Sequence, residues 1–424
     1  VIEAKMELLD NPVRKYAWGS RTVIADLQGR AVPSPHPEAE LWLGAHPGDS
    51  SYLVDSEGRR RSLLAELERD PVSRLGALGA RRWGGRLPFL LKILAAAEPL
   101  SLQAHPRAEQ AEAGYARENA EGIALDDARR SYKDANHKPE LICALSEFHA
   151  LSGFREPGVT LELLAELAVP ELAAHVELLA AQPDENGLRA LFSTWITLPQ
   201  QLLDQLVPAV QEACVALLRR AAAEPAVARF KAEARTVLEL SERYPGDPGV
   251  LAALLLNRVV LRPGEALYQE PGLLHAHLSG ACVEVMANSD NVLRGGLTPK
   301  YVDVPELLRV LDFRAGVPRL SIGTVDGRVT CYETPAEEFR LWRLDWPPED
   351  AGDLVSLPEG PRILICVAGA VKVVVGSGGS ATLRRGDSAW LDARDVEAKV
   401  ASAAEPAQLF VATDGLCEGV PGSP

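Results

Sequence analysis

The 424-residue sequence predicts a mainly β protein with an α-helical insertion: two β-barrels of one type plus a helical domain. Three observations carry this. Both ends of the chain consist of short apolar segments broken by Pro-Gly, Gly-Asp and Ser-rich turns, a strand signature. Residues 156–250 instead are rich in Ala, Leu and Glu, with apolar residues three and four apart, the helical period. Finally, "RPGEALYQEPGLLHA" (262–276) can be laid over "RRGDSAWLDARDVEA" (384–398), with Gly264 on Gly386, Glu265 on Asp387 and Tyr268 on Trp390. The expected division is 6–155 with 251–320 as the first barrel, 156–250 as the helical insertion and 321–424 as the second barrel.

Along the chain, "AELWLGAHPGDSSYLV" reads as an apolar strand followed by a turn, and "RSLLAELERD" as a helix. "HKPELICAL" opens a strand just after a proline, where a strand tolerates one. In the insertion, Leu203, Leu206, Val210, Cys214 and Leu217 form one helical stripe. "GSGGS", between two valine-rich segments, reads as a hairpin loop rather than a phosphate cradle, because no helix signal follows it. The repeated segments resemble the glycine–acidic turn and following strand of cupin (jelly-roll) domains.

Composition narrows the function classes. The apolar fraction is 47% and the charged fraction 24%, ordinary for a soluble globular chain. A net charge of −15 argues against nucleic acid as a partner of the whole chain. No apolar run reaches a membrane span and no secretory h-region opens the chain. Met6 reads as a natural start, and the five residues before it are set aside from fold reasoning. The six cysteines, Cys143, Cys214, Cys282, Cys331, Cys366 and Cys417, form no CxxC pair and read as reduced thiols of a cytoplasmic protein. All eight histidines lie at or before residue 277, so the second barrel cannot carry a histidine-based metal site and reads as structural.

Chemistry concentrates in three short stretches. In "SLQAHP" (101–106), a strand would project Ser101, Gln103 and His105 from one face and Leu102 and Ala104 from the other. Buried polar groups on that first face need partners, such as a metal ion or substrate hydroxyls. In "NHKPE" (136–140), Lys138 and Glu140 share a strand face, offering a carboxylate ligand beside a cation. In "HAH", His275 and His277 share another. Gln103, His105, Glu140 and His275 together form a mixed N/O set suited to zinc or another divalent first-row ion. Only Glu140 is charged, so a bound dication would keep about one positive charge for polarising a substrate oxygen. The bland alternative is that each histidine is a satisfied core or surface group, and spacing alone does not join positions this far apart. His46, in "GAHP", reads as a buried histidine capping a turn.

"AELWLGAHP", "LPFLLKIL…SLQAHP", "YKDANHKPE", "SGFR" and "HAHLSG…EVMANSDNVLRGGLTPKYVDV" resemble, in order over residues 11–313, the signature blocks of type I mannose-6-phosphate isomerases. The last barrel resembles the family in style alone. The resemblance implies one Zn²⁺ per chain on Gln103, His105, Glu140 and His275, and an active-site arginine at Arg294. It places Lys92, Ser101, His137, Lys138, Glu284, Asp290 and Lys300 in the pocket. The implied reaction interconverts D-mannose 6-phosphate and D-fructose 6-phosphate through a cis-enediol(ate), so a hexose 6-phosphate is the expected partner of a cytoplasmic monomer.

Such a reaction needs a base and stabilisation of charge on O1 and O2. Glu284, Asp290 and Lys138 are the candidate bases, and His137 the candidate for opening the sugar ring. Arg294 suits the enediolate or the phosphate; Lys92, Lys138, Lys300 and Ser101 are candidate anchors. One departure stands out: the family has an aromatic residue where this chain has His277, which is read as part of the pocket wall. Two alternatives belong to other classes. A cupin dioxygenase would use a His-rich iron site, and a non-catalytic sugar-binding cupin would have lost ligands.

Overall fold

The computed structural model describes residues 6–55, 57–224, 229–348, 354–376, 379–403 and 406–416. It is mainly β, with eleven α-helices among those residues. Sheets of eleven, nine, four and two strands account for the strands.

The eleven-stranded sheet is built around one long strand, His275–Ala287. Its second half lies between strands Phe89–Ala96 and Glu140–Ala144, and its first half pairs with Leu102–Ala104 and Phe148–Phe154. Gly280, at φ 114°, sits where the strand changes partners. A Cβ there would lie 2.5 Å from the Glu147 carbonyl oxygen and 2.9 Å from Phe148 Cα, so only glycine lets the strands approach this closely. The strand can therefore bring residues from both halves toward one interior.

Alternation sorts the two faces of this sheet. Leu91, Ile93, Leu141, Cys143, Val283 and Val285 point outward and pack against Ile363, Ile365, Phe410 and Ala412 of the nine-stranded sheet. That second sheet is drawn mainly from the C-terminal region, yet Glu7–Asp10, Tyr52–Val54 and Arg60–Ser62 extend it. Its other face closes over the four-stranded sheet, burying Leu364, Leu409 and Val411 against Val371, Val373 and Val400.

The repeat seen in the sequence is a structural one. Gly264 and Gly386 adopt φ 87° and 91°, each opening a strand two residues on, at Ala266 and Ser388. In each turn an acidic side chain accepts from a backbone N–H three residues back: Glu265 from Arg262 and Asp387 from Arg384, both at 2.8 Å. The same chemistry thus makes the same turn twice. Strands Ala370–Val374 and Ser380–Arg384 pair as the expected hairpin; Ser377 and Gly378 of its loop lie outside the described residues.

Helices fill 157–252. Leu203, Leu206, Val210, Cys214 and Leu217 are buried along the helix Gln200–Ala223, as their spacing predicts. They share one core with Trp195, Phe192 and, from the β region, Leu102 and Ala104. Ser62 caps the helix Leu63–Arg69, accepting from Ala65 N–H. No helix among the described residues is long and apolar enough to cross a membrane. Cys143, Cys214, Cys282, Cys331 and Cys366 are buried free thiols, and Cys417 lies outside the described residues.

One helix contact gives a stability prediction. A Cβ on Gly114 would lie 2.4 Å from ring carbons of Tyr132, whose hydroxyl donates to Glu306 at 2.6 Å and holds the ring in place. Ala at position 114 gains about 1 kcal/mol of helix propensity but costs about 1–3 kcal/mol in overpacking. Gly114→Ala is expected to lower the thermal midpoint; a raised midpoint would refute the close-packing account.

Candidate active site

The polar interior is assembled by strand register. Directly opposed residues of antiparallel strands project from the same side of a sheet. Glu140 lies opposite both Gln269 and Met286, while Glu284 lies opposite both Ile142 and Lys92, and Lys92 opposite Trp42. At the other end, Gln103 lies between His275 and Arg294. Sequence spacing cannot supply these rows, because each joins strands far apart in the chain.

"SLQAHP" behaves as its alternation predicts. The observed strand is Leu102–Ala104; Leu102 and Ala104 face the helical core, and Gln103 faces the polar interior with His105. One short strand thus serves as the wall between the helical core and the polar interior.

Four ligand-type side chains converge there. His105 Nε2 lies 3.3 Å from Glu140 Oε1, His275 Nε2 lies 3.5 Å from Glu140 Oε2, and the Gln103 amide lies 3.5 Å from His275 Nε2. His105, Glu140 and His275 are each no more than 2% exposed, and their ligand atoms lie within 4.8 Å of one another. Both imidazoles are oriented by their other nitrogen: His105 Nδ1–H donates to the Asn291 carbonyl at 2.8 Å and His275 Nδ1–H to that of Leu273 at 3.0 Å. That tautomer turns both Nε2 lone pairs inward.

Burial, then Lys138, pushes His105 down to about 4, so its ring is neutral near pH 7. Burial would raise the Glu140 carboxyl, but Lys138, 3.1 Å away, and the two histidines outweigh it and hold the group well below the ordinary range. Buried His105 Nε2 and Glu140 Oε2 have no hydrogen-bond partner among the described residues. Such atoms are costly without an occupant, and a divalent cation fits them. The Gln103 amide can present either end inward by a half-turn, which adds a neutral oxygen donor.

A second cluster lies one row away. Lys92 Nζ is 3.0 Å from Glu284 and 3.7 Å from Glu40, and stands over the Trp42 ring. Burial alone would lower this lysine, yet Glu284, Glu40 and Glu140 hold it above its ordinary value. Trp42 Nε1–H donates to Glu40 at 2.7 Å. His277 is buried edge-on against Phe148, with both ring nitrogens unpartnered and its ring 6.0 Å from that of His275. It is therefore an interior group, not one turned to bulk solvent. Gln269, beside Glu140, is also buried with both amide ends unpartnered.

Cations lie toward the rim. Arg294 is half-buried and Lys300 exposed, and neither forms an ion pair among the described residues. Burial lowers both groups, and the Arg294 charge lowers Lys300 further. Asp290 Oδ1 is 3.4 Å from His46 Nε2, and that contact helps hold its carboxyl low against the effect of burial. His46 Nδ1 accepts from Gly48 N–H at 3.0 Å, the turn cap expected of it. Ser101 is half-buried just before the strand. His137 Nε2 hydrogen-bonds Glu338 at 2.5 Å.

Sequence reasoning missed Glu40, Gln269, Asn291 and Glu338. Glu40 stood within a quoted block and Asn291 within another. Asn291 accepts from Lys133 N–H at 2.7 Å and donates to the Asp134 and Asn136 carbonyls, each at 2.8 Å, bracing the loop that carries His137 and Lys138.

A buried pair of histidines, a carboxylate and an amide on a β scaffold, ringed by lysine and arginine, defines a site for one divalent cation and an anionic substrate. Residues 6–157 match the family described as phosphomannose isomerase type I, catalytic domain. The chain is 39% identical over 394 residues to mannose-6-phosphate isomerase of Escherichia coli K12, covering 92% of this chain and 95% of that protein. It is 32% identical to the Homo sapiens enzyme of that name, covering 85% and 86%. A solved zinc-bound mannose 6-phosphate isomerase superposes with a TM-score of 0.85 at 36% identity, covering 97% of this chain and 100% of that one. The chain belongs to the type I phosphomannose isomerase family.

Proposed function

We propose that this chain is a zinc-dependent aldose–ketose isomerase that interconverts mannose 6-phosphate and fructose 6-phosphate. The observation that carries the reading is the convergence of Gln103, His105, Glu140 and His275 beside Arg294. Relatives named mannose-6-phosphate isomerase and solved zinc-bound relatives support it. The four ligands would hold one zinc ion, which supplies Lewis acidity toward the sugar's O1 and O2.

The chain's own groups do the rest. Arg294, without an ion pair among the described residues, offers a planar fork, and with Lys300 it forms a cationic rim for the phosphate or the developing enediolate. Proton transfer between C1 and C2 needs one group that takes the proton and returns it. Among the three candidates, Glu284 is locked to Lys92 at 3.0 Å and Asp290 lies half-exposed beside His46. Lys138 is likewise ion-paired, at 3.1 Å from the ligand carboxylate Glu140, and a lysine so paired is protonated and takes a proton only once that pair opens. His137 moves the anomeric proton on ring opening. Lys92 and Ser101 shape the inner pocket, with His277 and Gln269 offering unpartnered polar atoms to sugar hydroxyls. A non-catalytic binding role would require no such complete ligand set.

We also propose that 6–155 with 251–320 form a catalytic jelly-roll barrel, 156–250 a helical domain and 321–424 a metal-free jelly roll. The repeated glycine–acidic turn supports the pairing of barrels. A monomer in the cytoplasm, without nucleic-acid or membrane partners, fits the −15 charge and the buried free cysteines.

The test is a coupled assay of fructose 6-phosphate formation from mannose 6-phosphate. Arg294→Ala is expected to lose about 100-fold or more in kcat/KM, the scale of one lost charge-stabilising donor. Absence of turnover in the intact protein with every divalent ion tried would overturn the function.

A further inference from the structure

We propose that Glu338 is a positioning residue for His137, so that the histidine-free C-terminal region completes the active site instead of serving only as support. The part His137 plays in catalysis rests on the isomerase reading above; the contact between the two residues does not.

His137 precedes the ligand Glu140 by three residues, on the loop braced by Asn291. Its Nε2 meets Glu338 Oε1 at 2.5 Å, across 201 positions of sequence. Glu338 comes from the turn joining strands Val329–Tyr332 and Arg340–Trp346. That turn is pinned at several points. Ala336 and Phe339 are buried in the core shared by the two large sheets. The Glu337 carbonyl accepts from Gly415 N–H at 2.9 Å, and its carboxylate pairs with Arg82 at 2.7 Å. The carboxylate is therefore presented from a rigid frame to a histidine that is itself on a rigid frame.

An ordinary surface ion pair has neither frame and is worth little. Here the Glu338 side chain is only 17% exposed and that of His137 29%. A carboxylate can only accept, so it fixes the proton on Nε2 and leaves Nδ1, which has no partner among the described residues, as the nitrogen open to a substrate proton. When His137 takes that proton, the adjacent negative charge stabilises the imidazolium. Burial would raise the Glu338 carboxyl, but His137, then its own backbone N–H and then Arg82 keep it low, so the charge is in place. Electrostatic support of this kind is the logic of an acid–histidine pair.

The experiment uses zinc-loaded full-length protein carrying ¹⁵N-labelled histidine. Glu338→Ala is expected to lower kcat about 10- to 100-fold, to leave KM within about twofold, and to move the His137 ring ¹⁵N shifts away from the Nε2–H form. Glu338→Gln retains an acceptor without the charge and is expected to fall between Glu338→Ala and the parent. Glu338→Ala combined with His137→Ala should be no slower than His137→Ala alone. Unchanged kcat and unchanged His137 shifts in Glu338→Ala would overturn the proposal, as would losses that multiply in the double variant. Should the alanine variant fail to fold, Glu338→Gln is read by the same criteria. If the parent has no isomerase turnover, the function fails, and the ¹⁵N shifts alone decide whether Glu338 orients His137.

Discussion

Stripped of metal by a chelator, the protein is expected to lose turnover by about a thousandfold or more, beyond what one missing charge-stabilising donor costs, and to recover it on addition of zinc. The site leaves little room for activity without an ion. His105 Nε2 and Glu140 Oε2 are buried without a partner among the described residues, on a neutral imidazole and on a carboxylate that Lys138 keeps charged. Glu140→Ala is expected to be inactive and not rescued by zinc, because it removes the only charged ligand and also unpairs buried Lys138. Gln103→Ala should bind zinc more weakly yet retain some affinity, since three ligands remain. Metal content by atomic emission and turnover would be read on the same samples. A thermal midpoint that rises with added zinc would report binding without reference to catalysis. Full turnover in metal-free protein would refute the site.

Arg74→Ala is expected to destabilise the fold by about 3–5 kcal/mol, the scale for removing one partner from a buried ionic cluster. Arg74 lies on the helix Pro71–Arg82 with its side chain 6% exposed. It bonds Glu7 of the first strand at 2.7 Å, Glu66 of a neighbouring helix at 2.9 Å and Asp392 near the chain's end at 3.0 Å. Without the guanidinium, these buried carboxylates repel one another. Arg61 still reaches Glu7 and Glu66, Arg69 reaches Glu66 and Arg394 reaches Asp392, but these side chains are 38%, 66% and 32% exposed and come from the rim, so none replaces the fork in the middle of the cluster. Arg74→Lys keeps the charge and loses the fork, so it should recover only part of the loss. Urea unfolding measures the effect; kcat of the folded fraction should be unchanged, because Arg74, Glu7, Glu66 and Asp392 are not among the residues of the candidate site. A loss below about 1 kcal/mol would place the cluster with ordinary surface pairs.

How much could be read from the sequence depended on distance along the chain. The sidedness of Leu102–Ala104 was legible because polar and apolar residues alternate over six positions. The stripe from Leu203 to Leu217 was legible because a helix repeats within four. His46 was legible as a turn cap because its partner, Gly48, is two residues away. The repeated turns were legible because each is a four-residue device. Rows such as Gln269–Glu140–Met286 were not, since strand register is set by which faces are buried in the finished sheet. For the ligand set, family resemblance joined what spacing could not. Glu338 escaped both routes: it lies in an irregular turn beyond the family blocks, and nothing local marks its partner.

The placement of the first strand also constrains how the chain is made. Leu8 pairs with Ala389, so the edge that Glu7–Asp10 completes does not exist until residue 389 has been made. At a synthesis rate of about 5–20 residues per second, the wait is roughly 20 to 75 s. Throughout that interval the first strand has Tyr52–Val54 on one side and an open edge on the other, and the apolar outer face of the site-bearing sheet lacks its C-terminal cover. A nascent chain of this protein therefore exposes that face until strands Arg362–Ala368, Ser388–Leu391 and Ala407–Thr413 close over it.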